Sequence, residues 1–195
     1  MPTSHWLQLN EVLSVIMAAR PRSMLDIGIG FGKYGFLARE YLELWDGRNQ
    51  YIDWKHRIDG IEIFEEYKTP VYDYIYNNVY YGNAVNILPD IKYIYDLIIM
   101  IDVIEHFDAV EGRKMLDICN ARGRNLLVVT PHNPSAQGAV FDNDHEKHKS
   151  RWTAEDISTE GNKIIVPNKK SLICLCGQDA AKIGKNLVNF GISIK

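Results

Sequence analysis

The alternation of apolar runs with amphipathic segments predicts an α/β fold. It is a doubly wound, mostly parallel seven-stranded sheet with a C-terminal antiparallel hairpin. Three observations carry this. Residues 95–102 (YDLIIMID) and 124–130 (RNLLVVT) are near-continuous apolar runs bounded by charge, as expected of central parallel strands buried on both faces. Between them, much of residues 109–121 reads as a helix. Finally, a strand over residues 23–29 breaks into Gly28, Gly30, Gly32 and Gly35 just before a helical run over 36–45, giving a first strand–turn–helix unit.

The remaining elements follow in order. In residues 6–19, Leu9, Val12, Leu13, Ile16 and Met17 recur at three-and-four spacing before Pro21, which predicts an amphipathic helix in an N-terminal unit of residues 1–20. Residues 46–56 (DGRNQYIDWKH) are polar, turn-rich and aromatic, and read as an inserted loop before a strand over 57–64. Thr69 and Pro70 fit an N-cap and first-turn proline opening a short tyrosine-rich helix that ends near Asn77 or Asn78. A third strand covers 79–81. After Pro131 the pattern becomes polar, with His132, His145 and His148, and leads to a short helix over 153–159; residues 131–160 form the expected acceptor-site loop and helix. Residues 163–166 and 171–176, separated by Pro167-Asn168-Lys169-Lys170, complete the hairpin.

At 195 residues the chain suits one domain, residues 1–195. Its 46% apolar and 24% charged composition is that of a globular protein. A net charge of −3 gives no general attraction to nucleic-acid backbones or anionic membranes. No stretch approaches the roughly 18 apolar residues of a membrane span, and the first ten residues lack the pattern of a signal peptide, so a cytoplasmic location is expected. Cys119, Cys174 and Cys176 form no C-x-x-C pair. Strand alternation puts Cys174 and Cys176 on one face, as buried reduced thiols.

An open parallel sheet binds its ligand beyond the carboxyl ends of its strands, where the strand order reverses. The first turn, LDIGIGFGKYG, has glycines where backbone must turn tightly and approach a ligand. Read from Gly28, the dinucleotide fingerprint G-x-G-x-x-G requires glycine at 33, where Lys33 stands; Gly28, Gly30 and Gly32 fit D-x-G-x-G-x-G. With DGIEIFE, YGNA and YDLIIMIDVIEHF following in order at strand ends, the chain from about residue 24 to about 152 resembles the class I S-adenosylmethionine-dependent methyltransferases, whose fold is Rossmann-like. The resemblance implies S-adenosylmethionine as cofactor, with Gly28, Gly30, Gly32 and Tyr34 in its binding loop. It makes Glu62, at the end of the second strand, the acceptor of both ribose hydroxyls, since a carboxylate offers two oxygens. It places Asp26 either against the methionine amino group directly or behind the glycine-loop amides. Asn83, with Ala84, stands where relatives often carry an aspartate for the adenine amino group, and the asparagine carbonyl accepts the same bond. Asp102 and Val103 line the methionine side.

On the acceptor side, DVIEHF (residues 102–107) resembles segments of ubiquinone-type O-methyltransferases and of small-RNA 3′-end 2′-O-methyltransferases. In some of these, acids and the histidine hold a divalent metal that lowers the acceptor hydroxyl pKa. Asp102 stands where that pattern prefers glutamate, which argues against a metal here. His106 is a general base, a metal ligand or part of the pocket wall on this reading. Trp152 and Phe141 supply an apolar wall, and the H-x-x-H pair of His145 and His148 reads as solvated. The function expected is methyl transfer to an oxygen or nitrogen of a small or medium-sized molecule. The alternatives are metal-assisted RNA 2′-O-methylation, a non-catalytic cofactor-binding protein of the same fold, and a nicotinamide-dependent oxidoreductase.

Overall fold

The computed structural model describes residues 3–43, 50, 53–157 and 163–195. Its elements begin α1 (Leu9–Ala19), β1 (Ser23–Ile27), α2 (Lys33–Glu43), β2 (Arg57–Glu62), α3 (Pro70–Ile75), β3 (Asn78–Tyr81) and α4 (Ala84–Ile87). They continue β4 (Leu97–Ile101), α5 (Ala109–Arg122), β5 (Asn125–Pro131), α6 (Ala154–Ile157), β6 (Lys163–Val166), β7 (Ser171–Gly177) and α7 (Ala180–Asn189).

Side-chain alternation sets the layers. Every residue of β1 and β4 is buried. Successive strand side chains face opposite ways, so Met24, Leu97 and Ile99 join one apolar core while Leu25, Ile98 and Met100 join the other. The first core is closed by α1, α2, α3 and α7, through residues such as Val12, Ala38, Ile75 and Leu187. Val85, Met115, Leu116 and Trp152 close the second, from α4, α5 and the segment before α6. The three cysteines are free and buried in this second core, Cys174 and Cys176 as expected.

The strand order is β3-β2-β1-β4-β5-β7-β6. β1 to β5 pair in parallel, and β7 enters antiparallel between β5 and β6, from Asn125 opposite Gly177 to Pro131 opposite Ser171. The chain runs outward through β1, β2 and β3, then crosses to β4 on the other side of β1. The order therefore reverses between β1 and β4, and a crevice opens at their carboxyl ends.

All seven expected strands are present, and the differences have local causes. The first strand stops at Ile27 because Gly28 has φ +75° and turns the chain. The helix expected over 36–45 begins earlier, at Lys33; residues 44 and 45, and most of the inserted loop of 46–56, lie outside the described residues. Thr69 occupies the N-cap of α3, but its hydroxyl makes no cap bond and is buried with no partner among the described residues. The helix expected over 153–159 covers Ala154–Ile157, and 158–159 are outside the described residues. α7, with Ala180, Ile183 and Leu187 facing the core at helical spacing, is an element the sequence reading passed over. Among the described residues no helix is long and apolar enough to cross a membrane.

Candidate functional site

The crevice is a cavity of about 350 Å³ at the carboxyl ends of β1, β2 and β4, within the range of small-molecule sites. Of the residues expected from sequence, Gly28, Gly30, Tyr34, Glu62, Asn83, Ala84, Asp102, Val103 and His106 line it. Asp26 and Gly32 do not.

The glycine turn is shaped by hydrogen bonds to the neighbouring strand. Gly28 and Ile29 amides donate to Ile61 O, at 2.8 and 3.4 Å. Gly28, Gly30 and Gly32 all have positive φ, at 75°, 55° and 86°, where a side chain is strained. A Cβ on Gly28 would overlap Val103, which lines the cavity beside it. At the end of β2, Glu62 Oε2 accepts from the Gly30 amide at 2.9 Å and Oε1 from the Phe64 amide at 3.0 Å. Each oxygen keeps a further lone pair for a ligand. Burial raises the Glu62 carboxyl above its usual range, and these amides pull the other way.

Asp26 lies behind the turn. It is buried, and Tyr76 Oη donates to its Oδ2 at 2.7 Å. Burial pushes its carboxyl up to about 7, with the Tyr76 hydroxyl and Gly35 amide acting against the shift and Glu62 adding to it. An unfolded aspartate releases its proton near 3.9, so between about pH 4 and pH 7 the folded chain binds the extra proton and stability falls as pH rises. Asp26→Asn is expected to flatten that part of the stability profile, read as unfolding free energy against pH for parent and variant. An unchanged slope would remove Asp26 as its source.

Asn83 caps α4, its Oδ1 accepting from the Val85 amide at 2.9 Å, so one lone pair of that carbonyl is already engaged. Asp102 follows β4 with φ +55°, unusual for a residue with a side chain. Its Oδ2 accepts from Gln8 Nε2 at 2.8 Å, while Oδ1 is buried and has no partner among the described residues. Lys33 donates to Ser4 O and Oγ at 2.8 and 3.1 Å, and Ser4 Oγ donates to Tyr34 Oη at 3.0 Å. The segment before α1 is thereby tied across one side of the cavity.

The opposite side is covered by the segment after β5, where Asn143, His145, Glu146 and Lys149 reach the wall. Tyr67 anchors it: its hydroxyl donates to Glu146 Oε1 at 2.9 Å and accepts from Asn143 Nδ2 at 3.2 Å. His106 sits between this segment and β4. Its Nδ1 lies 3.2 Å from Lys147 O, which assigns the proton to that nitrogen and leaves Nε2 with a lone pair. Burial lowers the His106 pKa, keeping the imidazole neutral near pH 7.

Sequence reasoning missed how His106 is surrounded. Glu105 is fully buried; Thr130 Oγ1 donates to its Oε2 at 3.0 Å, and Oε1 has no partner among the described residues. Burial pushes this carboxyl up to about 8, with Asp102 adding to it. His148, the second residue of the H-x-x-H pair, pairs not with His145 but with His106, their ring centroids 5.0 Å apart. Its Nδ1 is 2.7 Å from Ser135 O, so Nδ1 is the ring nitrogen that donates to the chain. Ligand atoms of Glu105, His106 and His148 lie within 4.8 Å of one another. One carboxylate and two imidazoles suit a divalent transition ion, and the unpartnered Glu105 Oε1 fits such a ligand. Asp102 is outside this group. The expected apolar wall is corrected as well. Trp152 is buried against α5, where it occupies the space above Gly112, and Phe141 is solvent-exposed; neither lines the cavity.

The glycine spacing proves less decisive than the reading from Gly28 implied. Counted from Gly30, the residues Gly30, Gly32 and Gly35 do satisfy G-x-G-x-x-G. The sheet differs from the dinucleotide-binding order 3-2-1-4-5-6, since it inserts an antiparallel β7 beside β5.

No family model matches the chain, and no curated protein matches it. Solved structures do. An O-methyltransferase family protein from Burkholderia thailandensis superposes with a TM-score of 0.62 at 14% identity, covering 87% of this chain and 55% of that one. This chain thus spans little more than half of that neighbour. The N-terminal domain of EvdMO1, in the presence of SAH and D-fucose, gives 0.64 at 11% identity, covering 90% and 84%. The methyltransferase domain of bacterial CtHen1-CN gives 0.61 at 14% identity, covering 88% and 98%. With its seven-stranded sheet, reversed at β1 and β4 and closed by an antiparallel pair, the chain has the Rossmann-like methyltransferase fold.

Proposed function

We propose that this chain is an S-adenosylmethionine-dependent methyltransferase acting on an oxygen or nitrogen of a small or medium-sized acceptor. One observation carries the reading. The Glu62 carboxylate stands at the cavity wall, fixed by the Gly30 amide at 2.9 Å, so the glycine turn and the acid that would take the ribose hydroxyls form one unit. When bound, the donor supplies an electrophilic methyl group on a sulfonium centre. The chain's own contribution is positional. Glu62 and the turn fix the nucleoside, Asp102 and Lys33 flank the far end, and His106 Nε2 is free to take a proton from an acceptor. The segments before α1 and after β5 shield the reacting centre from water, and such orientation can supply several kcal/mol of barrier reduction. Calorimetric titration is expected to show S-adenosylhomocysteine binding and no binding of NAD or NADP. Tight NAD binding with none of the methyl-donor product would overturn the assignment.

A second reading, metal-assisted transfer to a hydroxyl, is favoured by the buried Glu105 Oε1 beside His106 and His148. These three residues would hold the ion, whose chemistry is to lower the pKa of an acceptor hydroxyl. A nucleic-acid acceptor fits the wall less well. Lys33 and Lys149 are set there against Glu62, Asp102, Glu111 and Glu146, so the described residues of the wall form no basic track for a phosphate backbone.

A further inference from the structure

Gln8 is a fully buried amide in the segment entering α1, 94 residues from the carboxylate it holds. An ionised carboxylate only accepts hydrogen bonds, so Gln8 must turn its amino group toward Asp102 Oδ2, at 2.8 Å. Its carbonyl then faces Ser171, at the start of β7, whose hydroxyl donates to it. The amide is held at both ends and has one orientation. At the other end of this relay, Asp102 lines the cavity with a left-handed backbone, and its Oδ1 has no hydrogen-bond partner among the described residues. Strained backbone at a ligand site, and a buried acceptor with no donor, are both costly features that persist where a function uses them.

We propose that Gln8 is a positioning residue: with Ser171 it fixes Asp102 at the cavity wall so that its carboxylate receives the ammonium group of a zwitterionic ligand, whose carboxylate lies toward Lys33. This rests on the methyl-donor reading and assigns the donor's amino-acid end. Lys33 is the complementary charge, held on the same wall by Ser4 and close enough to Asp102 for each to act on the other. Asp102 is thereby a donor-binding residue and not a fourth ligand of the Glu105, His106 and His148 group, from which it is absent. The segment before α1 belongs to the binding site, although it lies outside the glycine turn and strand ends from which the sequence motifs are read.

The test compares two nucleosides. S-Adenosylhomocysteine carries the amino-acid end; 5′-methylthioadenosine shares the adenosine and thioether but lacks it. Calorimetric affinities for both are measured on the parent, Gln8→Leu, Asp102→Asn and the double variant. Gln8→Leu is expected to weaken S-adenosylhomocysteine about fivefold and leave 5′-methylthioadenosine unchanged, with the double variant no weaker than Asp102→Asn alone, as for two residues acting as one unit. Ser171→Ala, which leaves Gln8 in place but frees its amide to rotate, should give a smaller loss with the same selectivity, and it decides the matter if Gln8→Leu does not fold. Equal weakening of both nucleosides, unchanged S-adenosylhomocysteine affinity, or additive losses in the double variant each overturn the positioning role. A parent that binds neither nucleoside overturns the methyl-donor reading itself.

Discussion

Replacing His106 with alanine is expected to lower turnover by roughly 10²-fold, the lower end of general acid–base effects, with donor affinity nearly unchanged. The imidazole follows β4 directly, lines the cavity, and is held by Lys147 O so that Nε2 is the basic nitrogen. Burial keeps it neutral, so a lone pair is present at the pH where a base or a ligand must act. Glu105 and His148 separate the two roles. If His106 acts alone as a base, His148→Ala should cost far less than His106→Ala, and chelator should have no effect on the parent. If the three residues hold an ion, both substitutions and chelator should be comparably damaging, and added divalent ion should restore chelated enzyme. Normal turnover by His106→Ala on the true acceptor, with no chelator effect in the parent, leaves the residue a piece of the wall.

The central sheet was legible because its signals are local. β4 and β5 are apolar runs too continuous for a surface strand, and the glycines after β1 mark a turn that only positive φ can make. Glu62 could be placed at the cavity because its position, the end of the second strand, follows from chain order. What the sequence hid is pairing across distance. Gln8 and Asp102, Tyr67 and Glu146, His106 and His148 are 94, 79 and 42 residues apart, and no periodicity joins them. Trp152 misled for a related reason. An aromatic residue in a polar stretch near the site suggests a pocket wall, but Gly112 leaves a notch in α5, and the indole fills it while donating to Ile104 O at 3.2 Å. The H-x-x-H pair shows the same limit, since spacing brings His145 and His148 near each other while the fold sends His148 to His106 and His145 to the cavity wall.

Glu62→Ala is expected to weaken S-adenosylhomocysteine by more than about tenfold, because charge-assisted hydrogen bonds are worth about 1.5–3 kcal/mol and about 1.4 kcal/mol is a factor of ten. Two losses contribute. One is the pair of bonds to the ribose hydroxyls; the other is the anchor of the Gly30 and Phe64 amides, whose removal lets the glycine turn relax away from the nucleoside. They are separable by ligand. The parent should bind 5′-methylthioadenosine more tightly than its 2′,3′-dideoxy analogue, and Glu62→Ala should erase that preference if the carboxylate reads the hydroxyls. If Glu62 only props the turn, affinity for both should fall together and the preference should survive. Glutamine is a poor rescue on either account. It offers one accepting oxygen where two amides now donate, so its amino group would face a donor at either Gly30 or Phe64, and a buried donor–donor contact is costly. Glu62→Gln should therefore behave more like alanine than like the parent, and recovery of parent affinity by glutamine would show that neither the charge nor the second oxygen is needed.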